Sequence, residues 1–181
     1  LYDLAAGREL LAPSPLPLFL LRLRRGDEQV LLAADAGWRV ATIHSQDGRT
    51  SLSWAEPEDA RLRGIRVSAV ATAHPASHAW HWGLQLRNDS ADWTIWRVLF
   101  PQLALAKPGE DAVALVPTGP GQLRSDAWDV PFRQENKYPG GWYWGLQLMA
   151  AYASTPAPSG LYVAMHDPHG ATKDIIMAGD P

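Results

Sequence analysis

The sequence predicts an all-β protein built as a two-layer antiparallel β-sandwich, and three observations carry that prediction. Short apolar or alternating runs recur along all 181 residues, turn-forming residues separate them, and helical periodicity is nearly absent. With 46% hydrophobic and 19% charged residues, the chain has the apolar mass for a core and too little charge for a disordered polymer. Sandwiches often exceed the usual domain length, so residues 1–181 read as one domain.

Strands are expected near Glu9–Leu11 and Leu16–Arg24. The second ends in a basic cluster, Arg22, Arg24 and Arg25, which reads as a solvated strand end before a Gly26-Asp27 turn. Gln29–Ala33 follows, and then Arg39–His44 and Thr50–Trp54 on either side of Asp47-Gly48, a pair that favours a tight turn. Glu56–Leu62, with three acids and little periodicity, is the one stretch read as a helical turn. Gly64–Ala73, His81–Arg87 and Thr94–Leu99 come next, with Asn88-Asp89 before the last. Beyond Pro108-Gly109 stand Ala112–Val116, the Gly119-Pro120-Gly121 turn and Tyr143–Ala153. Pro156–Ser159 then leads into Gly160–His166 and Thr172–Met177.

Composition sets several function classes aside. The longest apolar candidate, Leu16 to Leu23, contains Pro17 and Arg22 and falls short of the roughly 18 residues a membrane span needs. A formal charge of −3 with scattered Lys and Arg lacks the basic footprint of a nucleic-acid binder. Cysteine is absent, which removes a disulfide framework and thiolate metal sites. Neither a Gly-x-Ser-x-Gly elbow nor a phosphate-binding Gly-rich loop occurs. The carboxylate pairs Glu56/Glu58, Glu110/Asp111 and Asp126/Asp129 are spaced as turn and surface acids. No catalytic residue is assigned, and no metal or cofactor is expected. The chain opens at Leu1 without an initiator Met or a signal-like segment, which reads as a portion of a longer polypeptide. Location stays open, with a secreted or periplasmic one favoured.

One internal echo bears on function. Trp80-His81-Trp82-Gly83-Leu84-Gln85-Leu86 and Trp142-Tyr143-Trp144-Gly145-Leu146-Gln147-Leu148 differ at a single position and read as matching strands. Period two puts Trp80, Trp82, Leu84 and Leu86 on one face, and Trp142, Trp144, Leu146 and Leu148 on the same face of the second copy; both faces are expected to be core. Gln85 and Gln147 lie opposite, with glycines that leave room for a neighbour or ligand. Nine tryptophans are many for this length, and aromatic faces stack on the apolar face of a pyranose while nearby polar groups take its hydroxyls. Core filling competes with that role at each position, and Trp38, Trp93 and Trp128, beside polar or turn residues, are the ones expected to be exposed.

His74, His78 and His81 have spacings that would gather imidazoles on a helix, but Pro75 argues against the helix, and a loop of solvated histidines is expected. The stretch from Gly160 to Lys173 is the most informative: a buried strand, a tight polar turn and another strand. Asp167-Pro168 followed by Gly170 is good turn chemistry in itself. In a functional reading, His166, Asp167 and Lys173 crowd hydrogen-bonding groups at one sheet end, suited to sugar hydroxyls or to a neighbouring domain. The candidate carbohydrate or domain-interface residues are therefore Trp142, Tyr143, Trp144, Gln147, His166, Asp167 and Lys173.

Three stretches carry a resemblance. They are Leu1-Tyr2-Asp3-Leu4-Ala5-Ala6-Gly7-Arg8-Glu9-Leu10; Leu99-Phe100-Pro101 after the Asn88-Asp89-Ser90 turn; and Tyr138-Pro139-Gly140 through Gln147 into Gly160-Leu161-Tyr162 and His166-Asp167-Pro168-His169-Gly170. On these the chain resembles the N-terminal β-supersandwich domain, of galactose-mutarotase-like fold, of largely uncharacterised bacterial glycoside-hydrolase-like proteins. In them a (β/α)8 barrel follows and carries the catalytic carboxylates. The resemblance covers most of the chain in pattern, and the C-terminal third is its specific part. It implies further strands before Leu1, and a barrel in the same polypeptide against which the His166-Asp167 turn packs or whose sugar site it borders. Trp142-Tyr143-Trp144 departs from it, standing where smaller residues are expected. Mutarotases of this fold type use a His base and a carboxylate, and the resemblance puts neither His81 nor His166 in those roles.

The expected function is a non-catalytic N-terminal accessory domain of a carbohydrate-active enzyme, a glycoside hydrolase, packing against the catalytic barrel and shaping its sugar site. A free-standing carbohydrate-binding module is the second reading, motivated by the tryptophans, and a mutarotase-like epimerase the third. The expected partners are the barrel and carbohydrate, with no nucleic acid and no membrane.

Overall fold

Period-two patterning bounded by Gly, Pro, Asn and Asp yields strands and almost nothing else. The computed structural model describes residues 1–3, 6–139, 146–166 and 169–179. In chain order the strands are β1 (Tyr2–Asp3), β2 (Arg8–Glu9), β3 (Leu20–Arg25), β4 (Glu28–Ala33), β5 (Trp38–Gln46), β6 (Arg49–Pro57), β7 (Ile65–His74) and β8 (Ala79–Asn88). They continue as β9 (Thr94–Leu99), β10 (Val113–Val116), β11 (Gln122–Arg124), β12 (Phe132–Tyr138), β13 (Leu148–Ala153), β14 (Ser159–Ala164) and β15 (Lys173–Gly179). Helical structure among the described residues is limited to 3₁₀ turns at Ala60–Leu62 and Pro75–Ser77. The first falls inside the expected helical turn and is capped by the Asp59 carboxylate, which accepts the Arg61 amide. Every strand pairing among the described residues is antiparallel, so the all-β antiparallel reading is borne out.

Packing gathers into two compact units, Ser14–Leu103 and Leu1–Pro13 with Ala104–Pro181. In the first, a three-stranded sheet (β4-β3-β9) and a four-stranded sheet (β5-β6-β7-β8) share one core. Alternation sends Phe19, Leu21, Leu23 and Leu32 inward on one side and Trp54, Ile65, Val67 and Ala69 inward on the other. Phe19 is fully buried, with its ring edge-on to Trp54 at 4.8 Å and to Trp38 at 6.3 Å between centroids. The indole N–H groups of Trp54 and Trp38 donate to the Ala34 and Ala33 carbonyls at 2.7 Å each, so these buried polar tips are paired.

The turns follow the sequence chemistry. Asp47 and Gly48 both have positive φ, 49° and 73°, the backbone that matches strand twist in a two-residue hairpin. At the Gly26-Asp27 hairpin Arg25 pairs with Glu28 at 2.7 Å, the solvated strand end expected of the basic cluster. Gly64, at φ 96°, is a position only glycine fits, because a Cβ would stand 2.8 Å from the Asp89 carbonyl carbon.

The second unit pairs β11-β10-β13-β14 in one sheet, β12 with β15, and β1 with β2. Among the described residues its buried apolar side chains are mostly small: Ala112, Ala114, Val116, Ala127, Ala151 and Ala153, with Leu10 and Ile175. The ladder of β12 and β15 runs from Phe132↔Gly179 to Tyr138↔Lys173 and brings two polar ends together. The sequence pattern misses β1, β11 and β12. The first two are only two or three residues long, and Phe132–Tyr138 is polar on its inward positions Gln134 and Asn136 as well as its outward ones. The echo is also corrected: β8 is its first copy, but β13 begins at Leu148, after Leu146 and Gln147.

Phe19→Ala should cost about 3–5 kcal/mol of unfolding free energy, read as a lowered urea midpoint with unchanged slope. A loss below about 1 kcal/mol would mean that the two sheets do not share this core.

Candidate functional site

The C-terminal stretch supplies a polar cluster. Because β12 and β15 end on the pair Tyr138↔Lys173, the Lys173 ammonium lies 5.0 Å from the Tyr138 ring centroid. It also donates to Gln147 Oε1 at 3.1 Å. The Gln147 carbonyl accepts the Met165 amide at 2.9 Å, which ties the approach to β13 to the end of β14. Gln147 and Lys173 are half-buried and His166 is exposed. Trp142, Tyr143, Trp144 and Asp167 lie outside the described residues. The structure thus joins Gln147 to Lys173 and adds Tyr138, whose place opposite Lys173 depends on β12, a strand the pattern did not predict. An amide, an ammonium and a phenol ring are groups that bind hydroxyls or a neighbouring surface.

The tryptophans sort differently from the expectation. Trp93 is only 3% exposed, roofed by the Arg25 and Arg61 guanidinium groups at 5.1 and 5.9 Å from its ring. Its carbonyl accepts Asn88 Nδ2 at 2.7 Å and Ser90 Oγ at 3.2 Å, so the polar neighbours that made it look exposed fold over it. Trp38 and Trp128 are half-buried, and Trp128 Nε1 donates to the Leu105 carbonyl at 3.4 Å. Among the described residues the exposed indoles are Trp80 at 45%, Trp82 at 41% and Trp96 at 53%. Trp96 lies at a bulge in the β3–β9 register, with Arg22 and Arg24 at 5.9 and 5.5 Å from its ring.

Trp80 and Trp82 share a face with Leu84 and Leu86, as period two requires, yet only the leucines reach the core. Trp82 stands opposite Ala71 and Trp80 opposite Ala73. On the same face, across Ala71, are Thr50 and then Ser45, whose hydroxyls hydrogen-bond at 2.9 Å. Phe100, packed against the core, meets Trp82 edge-on at 6.2 Å. The result is a shelf: two indoles about 7 Å apart along an edge strand, small alanines beside them, and the Thr50 and Ser45 hydroxyls about 10 and 14 Å across the sheet. Aromatic faces flanked by hydroxyls suit a pyranose ring, apolar on its C–H face and polar at its rim.

The remaining candidates are structural. His74 closes β7, His78 has φ 50° after the 3₁₀ turn, and His81 lies in β8 with its ring 4.0 Å from that of His74; all three are exposed, but only His78 lies in the connection, the other two being paired in strands. Among the described residues, no three His, Asp or Glu side chains converge as metal ligands would. Asp126 pairs with Arg124 at 2.8 Å and Asp129 with Lys107 at 3.3 Å. Asp111 accepts the Thr155 and Ser154 amides at 2.9 and 3.0 Å. No protein-family model, curated protein or solved structure matches the chain.

The Thr155 amide foremost, with that of Ser154, holds the Asp111 carboxyl below the ordinary carboxylate range. A depressed folded value means that the carboxylate contributes stability at neutral pH and loses it as pH falls through that value. Asp111→Asn should therefore lower the melting temperature at neutral pH and flatten its decline on acidification. Parallel melting curves for the two proteins across the carboxylate range would show that this cap contributes nothing.

Proposed function

We propose that the chain is a non-catalytic carbohydrate-binding β-domain, accessory to a glycoside hydrolase barrel in the same polypeptide, and that it meets sugar on the Trp80–Trp82 shelf. The observation that carries this reading is the pair of indoles left 45% and 41% exposed on the face of β8 whose Leu84 and Leu86 pack against the core. An exposed aromatic pair on one sheet edge gains from burial at about 25 cal/mol per Å² of apolar area, and a stacked pyranose covers such area while keeping its hydroxyls in reach of water. The Tyr138–Gln147–Lys173 cluster supplies hydrogen-bonding groups of the kind that face a neighbouring domain. The accessory role fits the acids described above, which are engaged as turn and surface partners. An epimerase would need an imidazole beside a carboxylate, and among the described residues neither His81 nor His166 has such a partner.

A broad panel of neutral polysaccharides, titrated against intrinsic fluorescence, tests the reading. Binding to at least one is expected, weakened about tenfold or more, roughly 1.4 kcal/mol, in a Trp80→Ala/Trp82→Ala double variant and unchanged in Trp96→Ala. Silence across the panel, or full binding by the double variant, would sink it.

A further inference from the structure

The opposite face of the same four-stranded sheet has a different character. Its outward positions form rungs across the strands: Arg66–Arg87, then Thr42–Ser53–Ser68–Gln85, then His44–Ser51–Val70–Gly83, then Gln46–Arg49–Thr72–His81. These rungs hold three arginines and two histidines and no Asp or Glu. Arg66 and Arg87 are directly opposed, a like-charge placement that costs stability in a sheet. Arg87 is partnered by Asp89 at 2.6 Å, and among the described residues no carboxylate pairs with Arg66. The next rung offers only hydroxyls and an amide, and its Thr42 and Ser53 hydroxyls bond each other at 2.7 Å. Ser53, Ala55, Arg66, Ser68, Gln85 and Arg87 line an open depression of about 610 Å³. Gly83 extends the free surface, since a Cβ there would meet nothing within 4 Å.

We infer that this outward face is a second binding site, and that its ligand is a uronate-containing acidic glycan whose carboxylate pairs with Arg66. The guanidinium fork matches a carboxylate through two parallel hydrogen bonds. The Ser68–Gln85 rung, about 7 Å further along the strands, is placed for the hydroxyls of the same or the next sugar. Nucleic acid is the poorer fit to the same charge: single strands need aromatic platforms for their bases, and the outward rungs carry no Trp, Tyr or Phe. The inference takes from the proposed function only that the ligand is a saccharide, and it uses none of the residues of the tryptophan shelf.

The test titrates the protein calorimetrically with uronate oligomers derived from pectate, hyaluronan and alginate, with their carboxyl-reduced counterparts, and with oligothymidylate. Binding of at least one uronate oligomer is expected, with affinity falling as salt is raised. Carboxyl reduction and Arg66→Gln should each weaken it about tenfold or more, while Trp80→Ala/Trp82→Ala leaves it unchanged. Unchanged circular dichroism and melting of Arg66→Gln separate lost contact from lost fold. The inference is overturned if no uronate binds, if Arg66→Gln binds as the parent does, or if oligothymidylate binds as tightly as the best uronate. Neutral glycan bound without uronate would overturn it and leave the tryptophan shelf standing. Uronate bound through Arg66 with no neutral glycan bound would support it and remove the shelf reading.

Discussion

Two sheets of unequal length share one core between Ser14 and Leu103, and the rest of that unit depends on the mismatch. β3, β4 and β9 have six residues each, whereas β5 to β8 have nine or ten. At about 3.3 Å per residue, strands of roughly 20 Å face strands of roughly 30 Å or more. A face is dry only where both layers are present. Ile65, Val67 and Ala69 lie where they are, and each is at most 2% exposed. Further along the same face the cover runs out near Phe100, and Trp80 and Trp82 stand in water. Exposed apolar surface on one end of an otherwise buried face is the expected consequence of the geometry, and it puts large aromatic groups where a ligand can reach them.

Charge is distributed to match. Acids are spent locally: Asp59 caps a 3₁₀ turn, Asp111 holds the Ser154–Thr155 corner, and Glu28 joins Arg25 and Arg61 beside the Trp93 ring. The outer rungs of the long sheet keep their cations without acids among them. One sheet therefore presents an aromatic shelf on one side and a basic, hydroxyl-lined face on the other. The second unit is built otherwise, on alanine-sized core residues and a long β12–β15 ladder, and its polar cluster lies where that ladder ends.

Much of this was legible in the sequence because strand signals are local. Thr94–Leu99 is found where it was expected, and Gly26-Asp27 and Asp47-Gly48 turn as their φ tolerances demand. Phe132–Tyr138 was not legible, since a strand with polar residues on both sides has no hydrophobic period to read. The exposure of individual tryptophans was misread for a different reason. Trp93 sits in a polar loop and is buried, whereas Trp80 and Trp82 sit in an apolar strand and are exposed. The Arg25 and Arg61 side chains cover the first, and how far the facing sheet extends leaves the other two bare, both properties of residues distant in sequence. The same limit held for Lys173: its crowding at a sheet end was readable, but its partners Tyr138 and Gln147 are set by strand pairing.

Hydrogen exchange of the indole N–H groups, followed by NMR, tests the mismatch most directly. Trp54 Nε1, donating to Ala34 inside the core, should remain protected for a long time, while Trp80 and Trp82 exchange as fast as solvent-exposed indoles do. Protection of Trp80 and Trp82 comparable to that of Trp54 would contradict the account, because it would mean that the facing layer covers the whole sheet and leaves no aromatic shelf.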